Sequence, residues 1–477
     1  MEKIESRTEQ VVQEDLVMFI NACYSCTGQR EFYDEANGQK LSISFLHDYI
    51  LGNYRLLYAR TLAIGINHFN QAQIILKLLA TGKNINPEYR QEEGGLIAEA
   101  LNKLPPQRAW GLLQELQNKR INNRRTRAIV RDFIATRRDV NFDAVKYRTK
   151  VKAAISHTHL KLNNELPIFL FDYQQQKAFT TDLFENFRKA HYSQDAIYKL
   201  PFTIAEGFAT KHKIKREIFL SRIQSQMTIG EKMRYQGAAE RSDININVDW
   251  EHLPLTKLAL YILSLPMETR IQTWEKFHRV LEELAKKVLK KSPLKLKLGR
   301  VAAVLDNSYS SSGSLEKRRR PLGIALATHY LLKAAATDYR AFWTLQPKNS
   351  LLVEPRGQTD LATPLLAALG CGAETVIIVS DGCENDPPKG ATEVLRIYCT
   401  KLDRLRKTSI IHCNPVFNAE DYTLRSLSSH IPTVGLRDAE DLPTVLGFAK
   451  FAEGSLNLSE LESYLAERVS SFLKHGF

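Results

Sequence analysis

Through most of the first 290 residues, apolar positions recur at three- and four-residue steps. Leu46–Ala63, Ala72–Leu79, Gly95–Leu101, Trp110–Leu116 and Ile129–Phe133 all carry the pattern, which lays a stripe along one face of a helix. Breaks fall at NPEY (86–89), LPPQ (104–107) and NELP (164–167), where proline and asparagine interrupt helical geometry. Helices of this length with short connections predict stacked pairs, open as a solenoid or closed as a ring. No clean repeat period emerges, so an irregular all-helical domain stays open as the alternative.

A basic stretch, KKVLKKSPLKLKLGR (286–300), changes the texture, and Pro293 within it is expected to end the last helix. Beyond it, short apolar or mixed runs at Val301–Leu305, Tyr339–Leu345 and Thr375–Val379 precede or separate helical segments at Gly323–Ala335, Leu361–Leu369 and Thr392–Leu405. Strands alternating with helices predict a parallel sheet covered on both faces. The fold class is therefore α + α/β, with an all-helical part over 1–290 and an α/β domain over 291–477.

Charge sharpens that division. The net charge of +13 is uneven: residues 1–300 hold 47 Lys+Arg against 33 Asp+Glu, whereas residues 301–477 hold 19 against 20. The helical part thus points to a polyanion partner, nucleic acid before membrane, since no lipid anchor is visible. The start MEKIESRTEQ is polar and no apolar run reaches about 18 residues, so a secretory signal and a membrane span are not expected and the cytoplasm is. The six cysteines are scattered; Cys23 and Cys26 form a lone CxxC without the partners a zinc site needs and read as small buried residues.

The chemistry in the second part follows directly on a strand. After VAAVL the chain runs DNSYSSSG, which puts Asp306, Ser308 and Ser310 at a strand's carboxyl end, where open α/β sheets bind ligands. Thr359 in GQTD (357–360) and Asp381 in SDG (380–382), after TVIIV, supply matching oxygens. A hard cation such as Mg²⁺ takes about six oxygen ligands and is held by one or two carboxylates with hydroxyls and water. Few direct carboxylates would leave it electrophilic enough to accept an acidic group from a partner. As ordinary turn residues the same serines would cap helices, and a nucleophilic serine would need a G-x-S-x-G elbow that is absent. No general base is identifiable beside the site; His412 follows the strand-like TSII and reads as a packed histidine. The chain is not expected to be an enzyme.

The densest charge runs from Lys119 to Lys161, with thirteen Lys+Arg against three Asp. Arg120, Arg124, Arg127 and Arg131 recur at helical steps, with Arg125, Arg137 and Arg138 beside them, while Ile121, Ile129, Val130 and Phe133 can turn inward. Lys146, Arg148, Lys150 and Lys152 open a second basic segment, followed by His157 and His159. Phosphate contacts release condensed counterions, so together with Lys119 these residues are the expected RNA contacts, named from charge alone; the bland reading is a solvated helical face. Tyr147 and Tyr235 are expected to stack bases, and a thinner basic patch runs from Lys211 to Glu217 with Arg222, Lys232 and Arg234 beyond.

DxSxS, the GQTD threonine and SDG together resemble the metal-ion-dependent adhesion site of von Willebrand factor A domains, a Rossmann-like fold. CTGQREFYDEA, RTRAIVRDFIATRR, AVKYRTKVKAAISH and PLTKLALYILSLP (254–266) resemble the Ro autoantigen family, whose helical module is called TROVE. The resemblance implies HEAT-like repeats closing into a ring that accepts single-stranded ends of misfolded RNA. It implies Y-type small RNA on the outer surface and RNA quality control alongside an exoribonuclease; the chain is expected to be monomeric. The alternative is a metal-dependent adaptor whose basic part meets an acidic protein.

Overall fold

The run ending at Leu305 is an interior strand of a parallel sheet. In the computed structural model, which describes residues 6–162, 164–240, 244–292, 296–454 and 456–474, five strands lie in the order β2-β1-β3-β4-β5. They are β1 (Leu298–Leu305), β2 (Ala336–Trp343), β3 (Thr375–Val379), β4 (Ser409–Asn414) and β5 (Thr433–Gly435), all paired parallel. Val301–Leu305 and Val376–Val379 are buried throughout, as strands covered on both faces require. Ala302, Val304, Val376 and Ile378 face Leu361, Leu365, Ala368, Ala391 and Leu395. The helix Arg320–Ala335 packs against β1 and β2. Because β2 and β3 flank β1 on opposite sides, the chain reverses its direction of travel across the sheet there. That reversal opens a crevice at the carboxyl ends of β1 and β3.

Several expected elements differ in extent. The strand read at Tyr339–Leu345 is Ala336–Trp343, because its register against β1 begins at Leu298↔Ala336. The helix read at Leu46–Ala63 is Ala36–Asn53 followed by Arg55–Arg60, interrupted where Tyr54 leaves helical geometry at φ −136. NELP does not break the chain as expected. Asn164 caps a helix Glu165–Phe171 through the Leu166 amide, and Pro167 falls in the first turn, where a missing N–H costs nothing. Pro293 lies outside the described residues; the helix Trp274–Lys291 ends just before it.

The described residues between 6 and 292 are helical with short connections, and helix after helix starts directly behind an extended proline: Pro105, Pro201, Pro254 and Pro266. The change from helix to strand falls at Leu298, but compactness divides the chain elsewhere. Met1–Gln71 and Trp250–Phe477 pack as one unit and Ala72–Asp249 as a second. Packing explains the difference from a boundary near 290. Leu255–Ser264 and Trp274–Lys291 lie on the helix Arg320–Ala335, so closely that a Cβ on Gly323 would stand 2.5 Å from Leu260. At the other edge Asn21, on the helix Arg7–Ser25, accepts the Gly435 amide at 3.0 Å and donates toward Thr433 at 3.4 Å. Cys23 and Cys26 are buried in this unit.

Candidate metal centre and basic helical surface

The Asp306 amide donates to the Val379 carbonyl at 3.0 Å, extending the β1–β3 ladder by one bond and carrying Asp306 to the crevice beside Asp381. The loop then turns on its own side chains. The Ser308 amide donates to Asp306 Oδ1 at 2.8 Å, Ser308 and Ser310 hydroxyls lie 3.3 Å apart, and Ser311 donates to the Ser308 carbonyl. Two backbone bonds, Tyr309 to Gly357 and Arg356 to Asn307, zip the Thr359 loop onto this one. Thr359 is buried and fixed by its amide on Asn385 Oδ1 at 2.8 Å. Gly382 sits at φ +77, and a Cβ there would meet the Arg425 carbonyl at 2.6 Å; only glycine passes. Asn414 then donates to the carbonyls of both Asp381 and Arg425.

All five oxygen-bearing residues are buried. Burial, then the neighbouring Asp381 charge, pushes the Asp306 carboxyl up to about 7, and burial likewise raises Asp381. Two close buried carboxylates repel each other unless one holds a proton or a cation lies between them. Among the described residues no group of three His, Cys, Asp or Glu side chains forms a metal cluster. The donor set is instead two carboxylates with three hydroxyls, which fits a hard divalent ion rather than zinc. His412 is buried between Ser380 at 3.0 Å and Thr433 at 3.2 Å, and burial holds its imidazole down at about 4; it is packed into the sheet.

Residues of the site edge that the motif did not reveal come from distant segments. Tyr33 lines one small cavity with Asp381 and Cys383, and Arg425 lies over the Tyr33 ring at 5.4 Å. Thr344 donates toward Asp306 Oδ1 at 3.5 Å. No local sequence signal marks any of them, since each acts only through folding.

The basic stretch lies in the second unit. Arg124, Arg127 and Arg131 are exposed along the helix Arg124–Thr136, with Arg120 and Lys119 exposed just before it and Arg138 just after. The helix Arg148–Thr158 packs against it and exposes Lys152. Other members of the set turn inward or find acids. Arg125 bonds Glu93 at 2.5 Å, Arg137 bonds Asp143 at 2.6 Å, and Lys146 reaches Glu231 at 3.4 Å. Arg148 donates to the carbonyls of Phe169 and Leu170 and lies 4.1 Å over the Tyr173 ring. Lys119 pairs with Glu115 and Arg131 with its neighbour Asp132; Lys150 is half-buried, its ammonium close to Gly111. Arg120, Arg124, Arg127, Arg138 and Lys152 form no ion pair among the described residues. His157 bonds the Ile121 carbonyl at 2.9 Å, so it ties the two basic segments together. Of the tyrosines, Tyr147 is half-buried, and Tyr235 donates to Glu206 at 3.0 Å beneath Arg216. In the thinner patch Arg216 pairs with Glu206 and Arg222 with Asp195.

The structure is similar to that of the Ro (RSR) protein of Deinococcus radiodurans. The match has 13% identity and a TM-score of 0.44, over 93% of this chain and 100% of that one. No family model matches, and no curated protein does. No helix among the described residues is long and apolar enough to cross a membrane.

Proposed function

We propose that the chain is an RNA-binding scaffold of a Ro-type ribonucleoprotein, acting in the cytoplasm without turnover of its own. It would take small non-coding RNA and the single-stranded ends of misfolded RNA, and would serve RNA quality control or processing alongside an exoribonuclease. The observation carrying this reading is the set of exposed cations on the second unit, Arg120, Arg124, Arg127, Arg138 and Lys152, none of which forms an ion pair among the described residues. Such a surface binds phosphate without sequence preference and with steep salt dependence. Arg125, Arg137 and Lys146 support the reading only indirectly, since their acids hold the helices that display the others.

The test is anisotropy titration of a single-stranded RNA with a free 3′ end. Joint reversal of Arg124 and Arg127 to Glu should weaken binding at least tenfold with unchanged folding, and salt of about 0.5 M should do the same. Binding that survives both would overturn the proposal.

A second role belongs to the other unit. Asp306, Ser308, Ser310, Thr359 and Asp381 would hold a divalent cation such as Mg²⁺, which supplies an electrophilic point for an acidic group of a protein partner. The exposed Tyr309, Leu315 and Tyr33 favour this adaptor reading, since apolar groups left exposed near a ligand site mark contact surfaces. Release of a bound protein on Asp306→Ala, with RNA binding retained, would separate the two roles.

A further inference from the structure

The second unit carries rings beside its cations. On the helix Arg148–Thr158, Lys152 places its ammonium 5.0 Å over the Phe171 ring, and Arg148, one turn earlier, lies 4.1 Å over Tyr173. The Tyr173 ring stacks in turn on His191 at 6.1 Å, and Lys211 reaches His191 Nδ1 at 3.4 Å. Rings and cations thus alternate from Lys152 to Lys211. The middle of this track is structural, since Tyr173 is half-buried and Arg148 is spent on the Phe169 and Leu170 carbonyls.

Its two ends are open. Phe171 closes the helix Glu165–Phe171 at 39% exposure, one turn from the equally exposed Ile168, and no ring among the described residues stacks on it. His191 is exposed as well, braced edge-on by Phe187 and Phe208, and the adjacent Tyr192 stands in solvent. A lone exposed phenylalanine is ordinary. One held beneath an ammonium that forms no ion pair among the described residues presents a π face and a positive charge to the same visitor.

We propose that Phe171 and His191 are stacking sites for unpaired nucleobases, with Lys152 and Lys211 holding the adjoining phosphates. The inference rests on the RNA reading given above and deepens it: the arginine surface supplies charge, whereas these rings select unpaired strand. Bases within a duplex are covered by their neighbours, so only single-stranded or splayed nucleotides can lay a face on a side chain. Stacking of this kind tolerates sequence, because every base has a π face. Asp172 is exposed between Phe171 and Tyr173 and repels phosphate, so binding along the track has to draw on the bases.

The experiment uses the full chain and two labelled strands of equal length and phosphate count, oligoadenylate and its abasic counterpart. Anisotropy titrations compare wild type, Phe171→Leu, His191→Leu and the joint reversal of Arg124 and Arg127 to Glu. Phe171→Leu keeps apolar bulk but loses the π face. It should weaken oligoadenylate binding about fivefold and leave the abasic strand unaffected, with an unchanged melting temperature. His191→Leu should behave alike, and the ring-retaining variants Phe171→Tyr and His191→Phe should bind both strands as wild type does. The joint reversal should weaken both strands to the same degree. If wild type binds the abasic strand as tightly as oligoadenylate, or if either leucine variant weakens neither strand or both equally, the rings do not stack bases and the proposal is overturned. If neither strand responds to the joint reversal or to salt, the RNA reading itself fails and takes this inference with it.

Discussion

Arg125 donates to Glu93 across a gap of 2.5 Å, and the carboxylate it meets is only 2% exposed. Its neighbours Arg124 and Arg127 stand in solvent. One residue of helix turns a side chain by about 100°, enough to move a guanidinium from surface to interior. Removing one partner of a buried ion pair is strongly destabilising, by about 3 kcal/mol. Arg125→Ala should therefore lose roughly that much in urea denaturation, while Arg124→Ala stays within about 0.5 kcal/mol of wild type. Equal losses in the two variants would refute the division of the basic stretch into structural and displayed arginines.

How much of this was legible beforehand follows from how local each feature is. Asp306, Ser308 and Ser310 are alternate residues leaving a buried strand, so their gathering at one strand end could be read from the order of letters alone. Helical character was equally visible, because it repeats at every turn. The inward arginines were not: charge along a helix shows which residues share a face, but not that Glu93 or Asp143 waits on a neighbouring helix. Tyr33 and Arg425 reach the side of Asp381 only through tertiary contacts. β5 went unread because three residues carry no period, and Pro167 misled because proline both breaks helices and starts them.

The contact between Gly435 and the first helix makes a second prediction. A Cβ at Gly435 would stand 2.5 Å from the Asn21 carbonyl oxygen and 2.7 Å from Ser25 Oγ; the hydroxyl can rotate away, but the carbonyl cannot retreat without moving the helix Arg7–Ser25 or β5. Gly435→Ala should cost about 1–3 kcal/mol, as overpacking typically does. Amide exchange within residues 7–25 should rise in the variant. A melting temperature equal to wild type would show that the helix is not seated as described.

Acid should weaken the fold partly through His412. Burial holds its imidazole at about 4 against an ordinary 6.5, so between those values the unfolded chain binds a proton that the folded chain refuses. Stability is then full above about pH 6.5 and falls as pH drops toward 4, by on the order of 3 kcal/mol in total. His412→Gln keeps polar atoms near Ser380 and Thr433 but cannot titrate. Its melting temperature should fall less than that of wild type between pH 7 and pH 5; parallel curves would assign the acid sensitivity to other groups.

The sharpest prediction concerns the repulsion stored between Asp306 and Asp381 when no cation screens it. With its carboxyl raised to about 7 from 3.8, folded Asp306 keeps a proton that the unfolded chain has released. Cation-free stability must then fall as pH climbs from about 4 to about 7 and level off above. Asp306→Asn retains an Oδ1 acceptor for the Ser308 amide and the Thr344 hydroxyl while removing the charge. In chelator at pH 8 it should melt at or above wild type, with the advantage shrinking toward pH 5. Mg²⁺ should reverse the order: a ligand at a hundred times its Kd stabilises the state that binds it by about 2.7 kcal/mol, and only wild type has the full oxygen set. Thermal melts of both proteins at two pH values, each with Mg²⁺ and with chelator, decide the matter. An equal Mg²⁺ shift in wild type and Asp306→Asn would place the ion elsewhere, and a variant less stable than wild type in chelator would mean that the two carboxylates are not in conflict.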